Sequence, residues 1–234
     1  MPIGVIINVL SVALGGIFGS VVKDKLSDSY KTNMNMLFGL ASMGMGISSI
    51  VLMKNMPAVI FSLIIGTTIG LVIHLGDAIN KAAGAMQALT GGGKKENAAQ
   101  LVTIIVLFCA SGTGIYGALV SGMNGDHSIL IAKSILDFCT AMIFACTLGK
   151  TVSMIAIPQG IIMLALFLLA GFIYPMTTPD MINDFKACGG FIMLATGFRI
   201  IQVKNYPTAD MIPAMILVMP LSWFWMTYII PLVG

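Results

Sequence analysis

Lys133-Ser134-Ile135-Leu136-Asp137 sets a cation and an anion four residues apart inside a long apolar stretch. On a helix that spacing stacks the two charges on one face, a single turn apart. Asp137 falls about eight residues into its helix, so it lies about 12 Å deep at about 1.5 Å per residue. If that helix crosses a bilayer, each charge costs at least about 2.5 kcal/mol at the centre. Two chemistries account for such a pair. One is a locked ion pair that holds a helix bundle together. The other is a polar cavity in which Asp137 exchanges a proton or coordinates a cation while Lys133 contacts an anionic group, with the Ser134 hydroxyl beside them.

Further polar groups stand at comparable positions. Ser111-Gly112-Thr113-Gly114 puts two hydroxyls and two glycines in mid-span, which weakens a helix and frees carbonyls for an ion. Interrupted helices at the midplane are the binding elements of many secondary transporters. The same glycines also suit close packing through Gly114-x-x-Gly117. Asn8 and Gln159 sit inside or beside apolar runs, and each needs a hydrogen-bond partner. Pro158-Gln159-Gly160 opens an apolar segment, where free N–H groups at a helix start favour anions. Asp126 and His127 occupy the Asn124-Gly125 turn, as an N-cap or as an outer vestibule for protons. The candidate substrate- or ion-binding set is therefore Asn8, Ser111, Thr113, Asp126, Lys133, Ser134, Asp137 and Gln159.

No HExxH, GxSxG or Walker A pattern occurs, so the chain is not expected to be an enzyme. Nothing calls for a cofactor, a metal or a nucleic acid. Cys109, Cys139, Cys146 and Cys188 all lie in apolar segments without CxxC spacing and read as buried structural thiols.

The elements that hold these groups follow from composition. The chain of 234 residues is 58% hydrophobic and 9% charged, with mean hydropathy +0.99. Soluble domains carry about 25% charge, so this chain belongs in lipid. Its apolar runs reach about 20 residues without alternating, which selects helices over a barrel. Eight spans are expected, near 3–22, 34–53, 57–76, 100–121, 129–148, 155–174, 187–203 and 210–231, the seventh being the shortest. Met1 to Gly19 lacks a basic leader and reads as the first span rather than a cleaved signal. Between the third and fourth spans, Asp77 to Leu89 suits a short interfacial helix, and Gly91-Gly92-Gly93-Lys94-Lys95-Glu96 a flexible basic loop.

With both termini outside, Lys23, Lys25, Lys31, Lys81, Lys94, Lys95, Lys150, Arg199 and Lys204 fall on the cytoplasmic side, against Lys54 and Lys186 outside. Trp223, Trp225 and Tyr228 lie toward the outer end of the last span, as interfacial aromatics do. Lys54-Asn55-Met56-Pro57 returns as Lys204-Asn205-Tyr206-Pro207, and Pro2-Ile3-Gly4 is echoed by Pro158-Gln159-Gly160. Residues 1–76 and 155–231 thus read as two copies of a three-helix unit around central helices at 100–148, in one integral membrane domain. Five spans separate the first helices of the two copies, so the repeat is inverted, with a pseudo-two-fold axis in the membrane plane. Gly15-x-x-x-Gly19 and Gly66-x-x-x-Gly70 offer packing faces within the bundle or at a homodimer seam.

Pro2-x-Gly4-x-x-x-Asn8 with Gly15-Gly16, Gly122-x-x-Gly125-Asp126 leading into Lys133-Ser134-x-x-Asp137, and Gln159-Gly160 resemble the YdfK/YqgA-like bacterial membrane proteins, catalogued as domain of unknown function 554. The resemblance covers nearly the whole chain and implies a bacterial inner-membrane protein, without an activity to carry over. Ser111-Gly112-Thr113-Gly114 departs from the family pattern. The expectation is a small secondary transporter for a small polar or anionic solute, coupled to H+ or Na+ and assembled as a homodimer. A channel-like pore and a non-transporting scaffold or sensor are the alternatives.

Overall fold

The computed structural model describes residues 1–25, 27–89 and 96–233, and every regular element in them is helical. The glycine- and lysine-rich segment at 91–95 lies outside the described residues. The helices are α1 (Ile3–Val22), α2 (Asp28–Ile50), α3 (Met56–Val72), α4 (Leu75–Leu89), α5 (Glu96–Cys109) and α6 (Gly112–Asn124). They continue with α7 (Ser128–Leu148), α8 (Thr151–Met154), α9 (Ala156–Ile173), α10 (Pro179–Ile200), α11 (Ile212–Phe224) and α12 (Ile230–Val233).

Among the described residues, five helical stretches are long and apolar enough to cross a membrane: Ile3–Val22, Gln100–Met123, Ser128–Leu148, Thr151–Met176 and Ile212–Leu232. A sixth is the pair Met56–Val72 and Leu75–Ala85, bent by 62°. The bend follows His74, which turns the chain at φ +53°. Asp210 holds α4 in place by accepting a 2.7 Å hydrogen bond from the Gly76 N–H.

The other two expected spans, α2 and α10, are long but more polar. The seventh helix was expected at 187–203, as the shortest; α10 instead begins at Pro179 and runs 22 residues. Thr178 caps it, its hydroxyl accepting from the Met181 N–H at 3.2 Å, and Pro179 supplies a preset φ at the first turn. The charges in the added turns are accommodated by neighbours. Asp184 is fully buried, and Lys186 stands 3.8 Å from the centroid of the Tyr116 ring. Likewise α2 starts at Asp28 rather than 34, capped by Ser27 through the Tyr30 N–H at 3.2 Å. The expected single span at 100–121 is two helices that part at Ala110–Ser111. The last span is interrupted too, with Pro220 inside α11 and a π-helical turn at Trp225–Ile229 before α12.

Missing side chains set how the helices meet. A Cβ on Gly19 of α1 would lie 1.8 Å from the Met142 carbonyl oxygen of α7, and one on Gly15 would lie 2.4 Å from that of Phe138. These contacts advance together, so α1 and α7 run parallel. Gly46 meets Gly190 and Gly39 meets Gly197, so α2 and α10 run antiparallel. Gly66 and Gly70 of α3 meet Ala214 within α11 and Asp210 just ahead of it in the same antiparallel sense, while Gly122 of α6 lies against Phe167 of α9. Where lipid removes the hydrophobic drive between helices, such close backbone contact is the main cohesion. The interior holds Phe108, Phe144, Ile104, Ile155 and Ile192, and large apolar side chains such as Leu14, Ile161 and Phe172 are exposed, as suits a lipid-facing surface. Cys146 and Cys188 are buried as expected, but Cys109 is only half-buried and Cys139 is exposed, because it lies off the packed faces of α7.

Asp184 organises one end of the bundle. One carboxylate oxygen accepts the Lys54 and Asn55 N–H groups at 2.7 and 2.9 Å; the other accepts Asn55 Nδ2 at 2.8 Å and Ser222 Oγ at 2.6 Å. The α2–α3 loop and α11 are thereby fixed to α10. Asp184→Ala strands these buried donors and should lower stability by on the order of 3 kcal/mol or more, seen as a lower melting temperature of detergent-purified protein. Asp184→Asn, which keeps acceptor capacity, should fall between; equal melting of all three would show that the loop holds without this anchor.

Candidate functional site

The Lys133–Asp137 pair sits in the first half of α7, buried by α1, the α5–α6 junction and Gln159 of α9. Close approach of α1 lets its one amide side chain reach in. Asn8 Nδ2 donates to Asp137 Oδ2 at 2.8 Å, and Gln159 Nε2 donates to Asn8 Oδ1 at 2.8 Å. Gln159 Nε2 also lies 3.4 Å from Asp137 Oδ2, and Lys133 Nζ donates to that same oxygen. An ionised carboxylate only accepts, so it fixes the Asn8 amide, which in turn fixes Gln159. The consequence is that Gln159 Oε1 faces away, buried and without a hydrogen-bond donor.

Three donors thus converge on one carboxylate oxygen. Among the described residues Oδ1 of Asp137 accepts none, and Asp137 lines a cavity of about 410 Å3. Lys133, Ser111, Thr113 and Thr140 supply its other polar groups; Met45, Leu107, Phe108 and Met193 make much of the rest. Lys133 Nζ lies 5.9 Å from the centroid of the Phe108 ring. The α5–α6 break builds one wall. Ser111 caps α6, its hydroxyl accepting from the Gly114 N–H at 3.4 Å. Gly114 makes room for the lysine stem, since a Cβ there would lie 3.0 Å from Lys133 Cε.

Of the residues singled out from sequence, Asn8, Lys133, Asp137 and Gln159 form one hydrogen-bonded group, and Ser111 and Thr113 face the cavity beside it. Ser134 does not join them; its hydroxyl donates back to the Leu130 carbonyl at 2.6 Å. Asp126 lies in the exposed α6–α7 turn and accepts from the Ser128 N–H at 2.9 Å, a bond that holds its carboxyl below the usual carboxylate range. His127 Nδ1 and Ser121 Oγ close the same turn at 2.7 Å. The anion site read into the Pro158-Gln159-Gly160 start is not present. α8 leads almost directly into α9, and the Gln159 N–H already bonds the Ile155 carbonyl at 3.1 Å. Thr140 was missed, although its place one turn beyond Asp137 puts it on the face that carries the pair.

Residues 3–223, which include every polar group of this site, match the family described as Protein of unknown function (DUF554). The chain belongs to the DUF554 family. Within the family it is 48% identical over 230 residues to Uncharacterized protein YqgA of Escherichia coli (strain K12), covering 96% of this chain and 98% of that one. It is 27% identical over 221 residues to Uncharacterized membrane protein YdfK of Bacillus subtilis (strain 168), covering 92% and 93%. No solved structure matches. The membrane description of the Bacillus relative agrees with the long apolar helices, and the family member described here is a helical, multi-pass membrane protein.

A buried ion pair makes a distinct mutational signature. Lys133→Met alone leaves the Asp137 charge without its cation and should cost on the order of 3–5 kcal/mol. Lys133→Met with Asp137→Leu should recover most of that loss. Denaturation of the four proteins of the double-mutant cycle measures this; additive losses would mean that the two side chains do not act as a pair.

Proposed function

We propose that this protein is a small secondary transporter that carries a small anionic or polar solute across the bacterial inner membrane by alternating access. The observation that carries the reading is the half-open carboxylate of Asp137. One oxygen takes Asn8, Lys133 and Gln159, the other accepts no hydrogen bond among the described residues, and Asp137 lines a cavity of about 410 Å3 together with Lys133, Ser111, Thr113 and Thr140. An ionisable group that lines a cavity within a bilayer is the usual mark of a solute or ion pathway. Lys133 supplies the charge for an anion, and the Ser111 and Thr113 hydroxyls supply hydrogen bonds, while Thr140 already donates to the Leu136 carbonyl at 2.8 Å. The apolar wall takes the solute's hydrocarbon portion, and Asp137 takes the coupling proton or Na+. No covalent chemistry on the solute is assigned.

The helix pairing supports an inverted repeat as the moving framework. α2 meets α10, and α3 meets α11, in antiparallel pairs. α1 packs along α7 and α9 along α6, each in parallel. Exchange of α1 with α9, α2 with α10, α3 with α11 and α6 with α7 preserves this pattern. A two-fold axis in the membrane plane has that effect, and it relates an outward-open state to an inward-open one. In this reading the lysine-rich end is cytoplasmic, both termini are extracytoplasmic, and two copies associate in the membrane.

The test is a thermal-shift screen of purified protein against small carboxylates and inorganic anions, with Na+ and pH varied. A ligand at a hundredfold excess over its Kd adds about 2.7 kcal/mol to native-state stability. The expected hit raises the melting temperature of the native protein but not of Lys133→Met. Proteoliposomes should take up that hit under a proton or Na+ gradient, and Asp137→Asn should abolish the uptake. Absence of any stabilising anion, or uptake by Asp137→Asn at the unaltered rate, would defeat the proposal.

A further inference from the structure

A second polar cavity, of about 330 Å3, opens at the lysine-rich end and is lined by Lys31, Thr32, Gln100, Thr147 and Gln202 among others. Gln202 turns the chain there at φ +59°, just beyond α10, a conformation uncommon outside glycine. The site described above makes no use of this cavity. Yet four helices line both. α2 gives Met45 to the central cavity and Lys31 and Thr32 to the second; α5 gives Leu107 and Gln100, α7 gives Thr140 and Thr147, and α10 gives Met193 and Ile200.

The spacing is regular. On α5, α7 and α10 the two contributions are seven residues apart, which is two turns and about 10 Å at about 1.5 Å per residue. Each of these helices therefore shows both cavities the same face. α2 and α5 reach the second cavity with their earlier residues, α7 and α10 with their later ones. The two cavities are consequently stacked end to end along one axis.

Between them the lining becomes apolar. Phe38 of α2 stands midway between Met45 and Lys31, and Phe144 of α7 lies between Thr140 and Thr147. Their ring centroids are 6.2 Å apart, with planes inclined at 50°. Ile104 of α5, between Gln100 and Leu107, is fully buried in the same core. On α10 the intervening position is Gly197, where Met43 of α2 fills the space a side chain would take. Phe144 is fully buried while Phe38 is only partly so, so Phe38 can swing without unpacking the core and Phe144 serves as its seat.

We infer that the second cavity is the cytoplasmic vestibule of the central site, a subsite for the same class of small anionic or polar solute, and that Phe38 and Phe144 form the gate closed between them. This rests on the transport reading of the central cavity. A thiol reacts with maleimide as thiolate, which forms where water reaches it, so labelling reports the route without a known solute. Thr147→Cys and Thr140→Cys are introduced singly, and inside-out membrane vesicles are treated with a membrane-impermeant maleimide. Labelled peptides are identified by mass spectrometry, with the native thiols left in place.

Thr147→Cys should label readily and Thr140→Cys should resist. Adding Phe38→Ala should raise labelling of Thr140→Cys to the level of Thr147→Cys, with Phe144→Ala as a second opener. Gel filtration and undiminished labelling of Thr147→Cys in the same gate background establish that the variant is folded. Protection of Thr147→Cys from the cytoplasmic side would overturn the vestibule. Labelling of Thr140→Cys at the full rate with both aromatics present, or its continued protection in folded gate variants, would overturn the gate. Failure of the anion screen alongside a gated labelling pattern would instead reject the solute assignment and leave the route standing.

Discussion

One carboxylate oxygen ties the centre of this protein together. Oδ2 of Asp137 receives hydrogen bonds from α1 through Asn8, from α9 through Gln159 and from its own helix through Lys133. In hydrocarbon a charge survives only with such neighbours, and the neighbours can arrive only if the helices come close. Gly15 and Gly19 bring α1 against the α7 backbone, and Gly114 clears the volume taken by the Lys133 stem. The small residues and the charged pair are thus parts of one requirement. A bulky residue at any of these glycines would push away the groups that make the buried charge tolerable.

Away from that centre, α10 acts as a frame. Asp184 near its start holds the Lys54–Asn55 loop. Arg199 near its end donates to the Tyr206 carbonyl at 3.1 Å and to Thr208 Oγ1 at 2.8 Å. Both copies of the Lys-Asn-x-Pro sequence are therefore fastened to the same helix, one by an anion and the other by a cation. The glycine contacts with α2 lie between these two fixings, so α2 and α10 form a braced pair. The stacked cavities run beside this pair, with α5 and α7 completing their walls.

The helical, membrane-embedded character was legible because apolar runs of spanning length leave no other solution. At Ser111 only the weakness was legible, from two hydroxyls and two glycines in a span expected to run over 100–121; the break itself came with the structure, where Ser111 caps α6. The pairing of Lys133 with Asp137 followed from helical spacing alone. What sequence could not supply was the partner across space. Asn8 and Gln159 were noticed as isolated polar groups needing bonds, but their bond to each other depends on how α1 crosses α9. Asp184 lies before the seventh span as expected at 187–203, so it was not placed within the bundle. The signal was present in the Lys54-Asn55 turn, whose backbone N–H groups required an acceptor from elsewhere. Ser134 shows the opposite failure: its position beside the pair was right, but its hydroxyl donates to its own preceding turn and has no proton left for an anion.

The buried carboxylate of Asp184 has a further consequence for how the chain comes together. A nascent segment that carries Asp180, Asp184, Lys186 and Arg199 partitions poorly into lipid by itself. Its carboxylate becomes tolerable only once the Lys54–Asn55 amides and the Ser222 hydroxyl surround it, and those groups come from helices made both earlier and later. The shelter of this carboxylate is therefore assembled from parts of the chain that lie about 130 residues before it and 38 after it, and no one of them provides it alone.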